Sequence, residues 1–314
     1  MDLSIVIINW NTRNMLRDCL YSVYDNAPKS RFEVLVVDNA SEDGSQEMVS
    51  REFPGVRLLC NSQNLGFAAA NNRAMKVAGG SYMLLLNSDT LVHDDVLEQS
   101  LNYMRHNCQV GAMGCRVLNA NGSLQHSTSQ FPTFLNLALQ TLGLDRVSSV
   151  PILQRYRMLN WNCKTTRSVD TISGCFMLVK RTCIEDVGLL DDSFFFFGEE
   201  TDWCRRMRTA GWGVVFAPVG EITHFGGGSS GALNHKRDLM LTEATVRLHR
   251  KTGGFFAAAL VFLLLAGFNA SRLVFWSLNA KITRRKYDTD RMKHFLGVTR
   301  EIAYAWPKNQ RIEA

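Results

Sequence analysis

The sequence predicts a mixed α/β fold, with a mostly parallel central sheet covered by helices on both faces and a helical tail after it. Three observations predict it. Short, fully apolar runs alternate with helix-like stretches over the first ninety residues. Three of the first four runs end in Asn or Asp, as strands do when their carboxyl ends form a rim. Near the C-terminus a 14-residue apolar run, Phe255–Phe268, is followed by a basic cluster.

The elements follow in order. Leu3–Ile8 (LSIVII) is a buried strand bounded by Asn9-Trp10-Asn11. Met15–Asp25 is helical, since Leu16, Leu20, Val23 and Tyr24 share a face. Phe32–Val37 is a second strand ending at Asp38-Asn39. The turn Ser41–Ser45 leads into a helix over Ser45–Glu52, and Val56–Cys60 is a third strand. Gly66–Ala78 reads as an Ala-rich helix stopped by Gly79-Gly80, and Ser81–Leu86 as a fourth strand ending in Asn87-Ser88-Asp89. Val110–Leu118 and Asp170–Lys180 look like further strands. Between them Asn121-Gly122 and Pro132 mark loop and one helix. Phe194–Gly211 runs from four Phe through an acidic cluster into a helix closed by Gly211. Trp212–Ala217 is the last strand, and the loop after it carries His224 and Gly226-Gly227-Gly228-Ser229-Ser230.

Composition bounds the function classes. With 314 residues, 46% hydrophobic and 20% charged, the chain can bury a substantial core, which excludes a disordered or collagenous protein. Its eight Cys are scattered, without CxxC or zinc-finger spacing, so reduced thiols fit better than a disulfide scaffold. MDLSIVIINW lacks a basic leader region and reads against a signal peptide. Of the net +6, residues 236–314 carry +9 and residues 1–235 carry −3. Residues 1–235 are therefore expected to form one slightly acidic body, and 236–314 a separate basic tail.

A rim bearing Asn9, Asp38, Asn87, Ser88 and Asp89 offers the carboxylates and amides that a nucleotide and a cation need, although Asp and Asn also simply make turns. No Walker loop competes. Taken in order, SIVIINWN (4–11), VVDNASEDGS (36–45), NLGFAAANN (64–72), LLLNSDT (84–90), SGCFMLVKR (173–181), FFFFGEETDWCRRMRTAGW (194–212) and the His224 loop resemble the family 2 glycosyltransferases. These have the GT-A fold, a Rossmann-like nucleotide-diphospho-sugar transferase architecture, and the rhamnosyltransferase-like branch of bacteria is the nearest in pattern.

The resemblance implies an inverting, metal-dependent enzyme that moves a sugar, possibly rhamnose, from a dTDP- or UDP-sugar to a lipid-linked or cell-surface polysaccharide acceptor. Asp89 falls where the family places its metal carboxylate. Asn87 stands where a full DXD would have another acid, so Mg²⁺ or Mn²⁺ would need donor phosphates and a further ligand, with His224 the candidate. Asp38 would accept the N–H of a uracil or thymine, or else cap the turn at Ser41. Asn64, Gly66 and Asn71 would line the same pocket, Gly66 by permitting close approach, although Asn71 could also be an exposed helix residue. Glu200 is the expected base and Glu199 its alternative, in an apolar surround supplied by the four Phe. Both could instead merely begin a helix, although Asp202 can do that job while Glu200 faces the site. Trp203 is either a stacking surface for the acceptor or core, and Asp202 is grouped with it on the acceptor side.

The stretch 255–278 is long enough to span a bilayer but contains Asn269 and Arg272, and Lys281, Arg284, Arg285 and Lys286 follow. A helix embedded in the cytoplasmic leaflet or re-entrant is expected, with a true span or a buried core helix as alternatives. Nucleic acid is not expected as a partner of a tail so apolar. The implied location is the cytoplasmic face of the inner membrane. A metal-dependent nucleotidyltransferase and a catalytically inactive glycan-binding scaffold are the rival functions.

Overall fold

A computed structural model describes residues 1–144, 150–226 and 234–307. The chain runs β1 (Leu3–Asn9), α1 (Arg13–Asp25), β2 (Phe32–Asp38), α2 (Ser45–Glu52), β3 (Arg57–Cys60), α3 (Phe67–Met75), β4 (Tyr82–Asn87), β5 (Thr90–Val92), α4 (Val96–His106) and β6 (Val110–Leu118). It continues β7 (Leu124–Gln125), β8 (Thr128–Ser129), α5 (Phe134–Thr141), β9 (Arg167–Ser168), β10 (Thr171–Ile172), β11 (Phe176–Lys180), α6 (Arg181–Val187), α7 (Glu199–Thr209), β12 (Gly213–His224), α8 (His235–Thr283) and α9 (Lys286–Glu301).

Two compact units result. The first comprises Met1–Phe131, Arg155–Phe195 and Glu199–Ser229, and the second Pro132–Gln154, Phe196–Gly198 and Ser230–Ala314. In the first unit a ten-stranded sheet has the order β3-β2-β1-β4-β11-β6-β12-β5, with β7 on β6 and β9 on β12. β1 to β4 pair in parallel, β11 runs antiparallel between β4 and β6, and β12 returns parallel to β6. The fold is thus the mixed α/β, mostly parallel arrangement expected.

Strand alternation sorts the core into two layers. Ile5 and Ile7 of β1 pack with Leu16 and Leu20 of α1, Met48 of α2 and Leu101 of α4. Val6, between them, packs with Ala70 of α3, Ile184 of α6 and Met207 of α7. Full burial of Leu16, Leu20 and Val23 contributes about 1.5–3 kcal/mol each. All eight cysteines are free thiols, six of them buried and Cys60 and Cys108 exposed; desolvation pushes Cys19 and Cys204 up to about 12.

Several boundaries differ from expectation. The strand read over 170–180 is two, β10 and β11, because the chain turns at Ser173-Gly174-Cys175. The last strand does not stop at Ala217 but continues to His224, since β5 pairs with its far end. The short β5 and the amphipathic α4 were not foreseen. Helix α3 ends at Met75, short of the Gly79-Gly80 stop, and Gly227 to Ser230 of the expected loop lie outside the described residues.

In the second unit Gly254 (φ 74°, ψ −167°) breaks α8 into a first arm, 235–253, and a second, 255–283. Val246 of the first arm joins Ala258 and Val261 of the second, with Leu137 of α5, in a small core.

Candidate active site

Sheet register assembles the rim. Asn9 sits opposite Asp38 and Ile8 opposite Asn87, so the carboxyl ends of β1, β2 and β4 lie in one row. The buried polar groups there form a continuous chain. Gln46 Nε2 donates to Asp38 Oδ2 at 2.7 Å, as does the Ser41 backbone N–H at 2.9 Å. Asn9 Nδ2 donates to Asp38 Oδ1 at 2.8 Å, Thr12 Oγ1 donates to Asn9 Oδ1 at 2.7 Å, and the Thr12 and Ser88 hydroxyls are 2.9 Å apart. Asp38, only 1% exposed, therefore does the turn-capping that competed with base binding, and its Oδ1 has one partner among the described residues. Ser88 is tied into the chain directly before Asp89.

Asp89 and His224, 135 positions apart, come together because β5 pairs antiparallel with the end of β12, His224 opposite Thr90. His224 Nε2 lies 3.2 Å from Asp89 Oδ1 and 3.2 Å from Asn87 Nδ2. The Phe225 N–H donates to the Asp89 carbonyl at 3.0 Å and closes the junction. The other ring nitrogen, Nδ1, lies 2.6 Å from Gln125 Oε1. Gln125 is oriented by its own amide, which donates to Asn119 Oδ1 at 2.7 Å and to the His224 carbonyl at 3.3 Å. With Oε1 thus the acceptor, Nδ1 is the ring nitrogen that donates to Gln125, and Nε2 is the one that faces Asp89. A ring nitrogen beside a carboxylate oxygen is a donor pair that Mn²⁺ accepts more readily than the harder Mg²⁺. Among the described residues no cluster of three or more His, Cys, Asp or Glu side chains forms a metal cage, so such a cation would take its remaining ligands from donor phosphates and water. Gln125 carries no motif and sequence reasoning missed it.

Glu199 and Glu200 open α7. Glu200 Oε1 accepts the Gly174 backbone N–H at 3.1 Å, and the Asn87 N–H donates to the Cys175 carbonyl at 3.2 Å. The 173–175 turn therefore joins the Glu200 carboxylate to the strand end that carries Asp89. A Cβ on Gly174 would stand 3.0 Å from Glu200 Oε1 and 2.9 Å from the Phe67 ring, which explains glycine there. Desolvation pushes the Glu200 carboxyl above the ordinary 4.5, opposed by the Gly174 N–H and by a hydrogen bond from Glu199. Glu199, 2% exposed with Oε2 unpartnered, is pushed well above 4.5 by burial and then by the neighbouring Glu200. The pair thus keeps its proton on Glu199 and leaves Glu200 to ionise first.

Several expectations are corrected. Trp203 is fully buried and its indole N–H donates to the Gly188 carbonyl at 2.8 Å, so it is core and offers no sugar-stacking face. Asp202, 2% exposed, holds Arg206 Nε at 2.8 Å, and Arg206 in turn binds the Leu189 carbonyl at 2.7 Å; it clamps a loop instead of facing an acceptor. The close approach at Gly66 (φ 81°, ψ −178°) is made by the Phe195 carbonyl of the same chain. Asn64 caps that turn through the Gly66 N–H at 2.9 Å. Asn71 is 1% exposed, its Nδ2 on the Phe67 carbonyl and its Oδ1 without a partner. Of the four Phe, Phe194 is buried but Phe195 is 48% exposed, and the Phe67 ring and the Glu200 carboxylate both flank Gly174.

An α/β sheet with a polar rim at its strand ends, an Asp–His pair and a carboxylate dyad offers the groups that a nucleotide and a cation need. The glycosyl transferase family 2 model matches residues 4–188, and the chain belongs to that family. It is 27% identical over 209 residues to the N-acetylglucosaminyl-diphospho-decaprenol L-rhamnosyltransferase of Mycobacterium tuberculosis, covering 63% of this chain and 68% of that one. It is 23% identical over 223 residues to the glycosyltransferase AglE of Haloferax volcanii, covering 68% and 64%. In fold it is similar to the mannosyltransferase PcManGT of Pyrobaculum calidifontis in complex with GDP-Man and Mn²⁺, with TM-score 0.56, 16% identity and coverage of 96% and 87%. The fold is that of the GT-A glycosyltransferases.

Proposed function

We propose that this glycosyltransferase uses a dTDP- or UDP-sugar and a lipid-linked glycan acceptor of the cell envelope, working by inversion at the cytoplasmic face of the inner membrane. The observation that carries the reading is that hydrogen bonds link Asp38 through Asn9 and Thr12 to Ser88, next to the Asp89–His224 pair, while Glu200 bonds the 173–175 turn that the Asn87 N–H also joins. Asp38 Oδ1 would accept the pyrimidine N–H, with Asn9 fixing its orientation. Asp89 and His224 would hold Mg²⁺ or Mn²⁺, which when bound neutralises the charge of the diphosphate leaving group. Manganese accompanies nucleotide or nucleotide-sugar in the solved mannosyltransferase PcManGT and in GalNAc-T7, which supports a divalent cation here. The rhamnosyltransferase relative supports a polyprenyl-linked acceptor and keeps rhamnose the leading sugar.

In the reaction the acceptor oxygen attacks the anomeric carbon as the bond from that carbon to the diphosphate breaks. The acceptor proton passes to the Glu200 carboxylate, and the nucleoside diphosphate departs. Glu199, holding its own proton, keeps Glu200 ionised. The C-terminal helices would keep the enzyme at the membrane where such an acceptor resides.

Thermal-shift titration with dTDP-, UDP- and GDP-sugars, with and without Mn²⁺, tests the donor half. Stabilisation by the pyrimidine donors that disappears with chelator is expected. A response to GDP-sugars alone would sink the role of Asp38, full turnover in Glu200→Gln would return the nucleotidyltransferase reading, and absence of donor hydrolysis or transfer by the native chain would return the scaffold reading.

A further inference from the structure

The second arm of α8 has two unlike faces. On a helical projection Phe256, Leu260, Leu263, Val274 and Leu278 form one stripe, and they are 87%, 52%, 66%, 60% and 55% exposed. Ala258 and Val261 lie on the opposite face, packed against Val246 of the first arm. The residues that interrupt the apolar run in the sequence also lie there. Asn269 is buried with its amide on the Leu265 carbonyl at 2.8 Å, and Arg272 lies 5.1 Å from the Phe268 ring centroid. The outward stripe is thus free of charge from Phe256 to Leu278.

The inner face is sheathed in charged helices. The first arm and α9 carry seven formally charged side chains each. Tyr287 of α9 meets Trp276 with ring centroids 5.7 Å apart, Arg291 lies over Trp276, and Trp306 packs on Phe255 and Phe262. His294 of α9 meets Asp238 of the first arm at 2.9 Å. A transbilayer course for the second arm in this arrangement would carry both charged helices into the hydrocarbon. The stripe ends in exposed Lys281, Arg284, Arg285 and Lys286, a set complementary to anionic headgroups.

We infer that the second arm lies in the plane of an anionic membrane surface, its Phe256–Leu278 stripe in the acyl boundary and α9 with the first arm on the aqueous side. This deepens the membrane attachment proposed above by fixing its orientation, and it commits the exposed stripe to lipid over a second copy of the chain.

The test uses the full chain and vesicles of phosphatidylcholine with and without 30% phosphatidylglycerol (about that fraction), the basic set supplying the electrostatic part. Flotation with the anionic vesicles is expected, weakened by high salt, together with release from native membranes by alkaline carbonate. A Leu263→Glu/Val274→Glu variant should lose vesicle binding about tenfold or more, with an unchanged circular dichroism spectrum and unchanged donor hydrolysis in solution. Absence of vesicle binding by the native chain, with a dimer that the variant dissociates, would overturn both attachment and orientation. Resistance to carbonate would overturn the in-plane orientation alone, leaving attachment. Wild-type vesicle binding by the variant would remove the stripe as the contact.

Discussion

Glu199 and Glu200 differ by one position and take opposite roles because their surroundings differ. Glu200 receives the Gly174 N–H, whereas Glu199 is almost wholly buried with one oxygen unpartnered. A Glu200→Gln enzyme should lose about 10²–10⁴-fold in kcat, with donor-induced thermal stabilisation retained. For Glu199 the sign of the pH effect follows from its raised pKa. The fold holds the proton more tightly than the unfolded chain, so the cost of this carboxyl is absent below the unfolded value near 4.5 and grows as pH rises through the folded value. Glu199→Gln should therefore raise Tm at pH 8 and leave it unchanged at pH 4, as calorimetry at both pH values would show. Gln125 acts at one remove, by holding the His224 proton on Nδ1. Gln125→Leu should weaken Mn²⁺ binding about 10–100-fold, and Gln125→Glu, which keeps an acceptor, should recover most of it. An equal Kd for Mn²⁺ in all three proteins would remove Gln125 from the site. These residues show where sequence reading reached and where it stopped. Asp89, His224 and Glu200 stand at motif positions, and their residue types suit the chemistry. Gln125 is an ordinary amide in an ordinary hairpin, and only the fold brings it to the histidine. Trp203 had two readings that composition could not separate, and burial decides for the core.

At the level of elements, β1 to β4 and α1 to α3 were legible because each apolar run is continuous and each helix has a periodic face. The two-residue and three-residue strands were not legible, since pairing partners far away in sequence create them. β5 is the one with functional weight: it brings Asp89 beside His224. The turn between β10 and β11 has similar weight, because its Gly174 N–H sets the Glu200 carboxylate. Gly174→Ala would press a methyl group against Oε1 and the Phe67 ring. A loss of about 10²-fold in kcat from displacing the carboxylate is expected, with Tm lowered by only a few degrees; unchanged turnover in steady-state assays would show that the turn does not position the base. The break in α8 falls at Gly254, the second residue of the Gly253-Gly254 pair. Masked by the apolar run that follows it, it made two arms read as one tail.

Over the whole molecule, charge is divided as the sequence already stated: the excess of basic residues falls after Lys236 and the balance before it is slightly acidic. The basic set at 281–286 ends the lipid-facing stripe, where each Lys or Arg contributes about 1 kcal/mol at an anionic surface. Changing all four to Gln should abolish the salt dependence of vesicle flotation and leave a weaker, salt-insensitive residue of binding from the apolar stripe. If flotation keeps its salt dependence, the electrostatic contact lies elsewhere on the chain.

Gly254 carries a consequence for the shape available to the C-terminal region. Its backbone angles belong to a part of conformational space that essentially only glycine occupies, and another residue there costs about 1–3 kcal/mol. Alanine would favour uninterrupted helix through the joint, and 49 residues of it would make a rod about 73 Å long. The hairpin would open, Val246 would part from Ala258 and Val261, and small-angle scattering would register a longer maximum dimension. One missing methyl group thus keeps a folded clamp from becoming a spar.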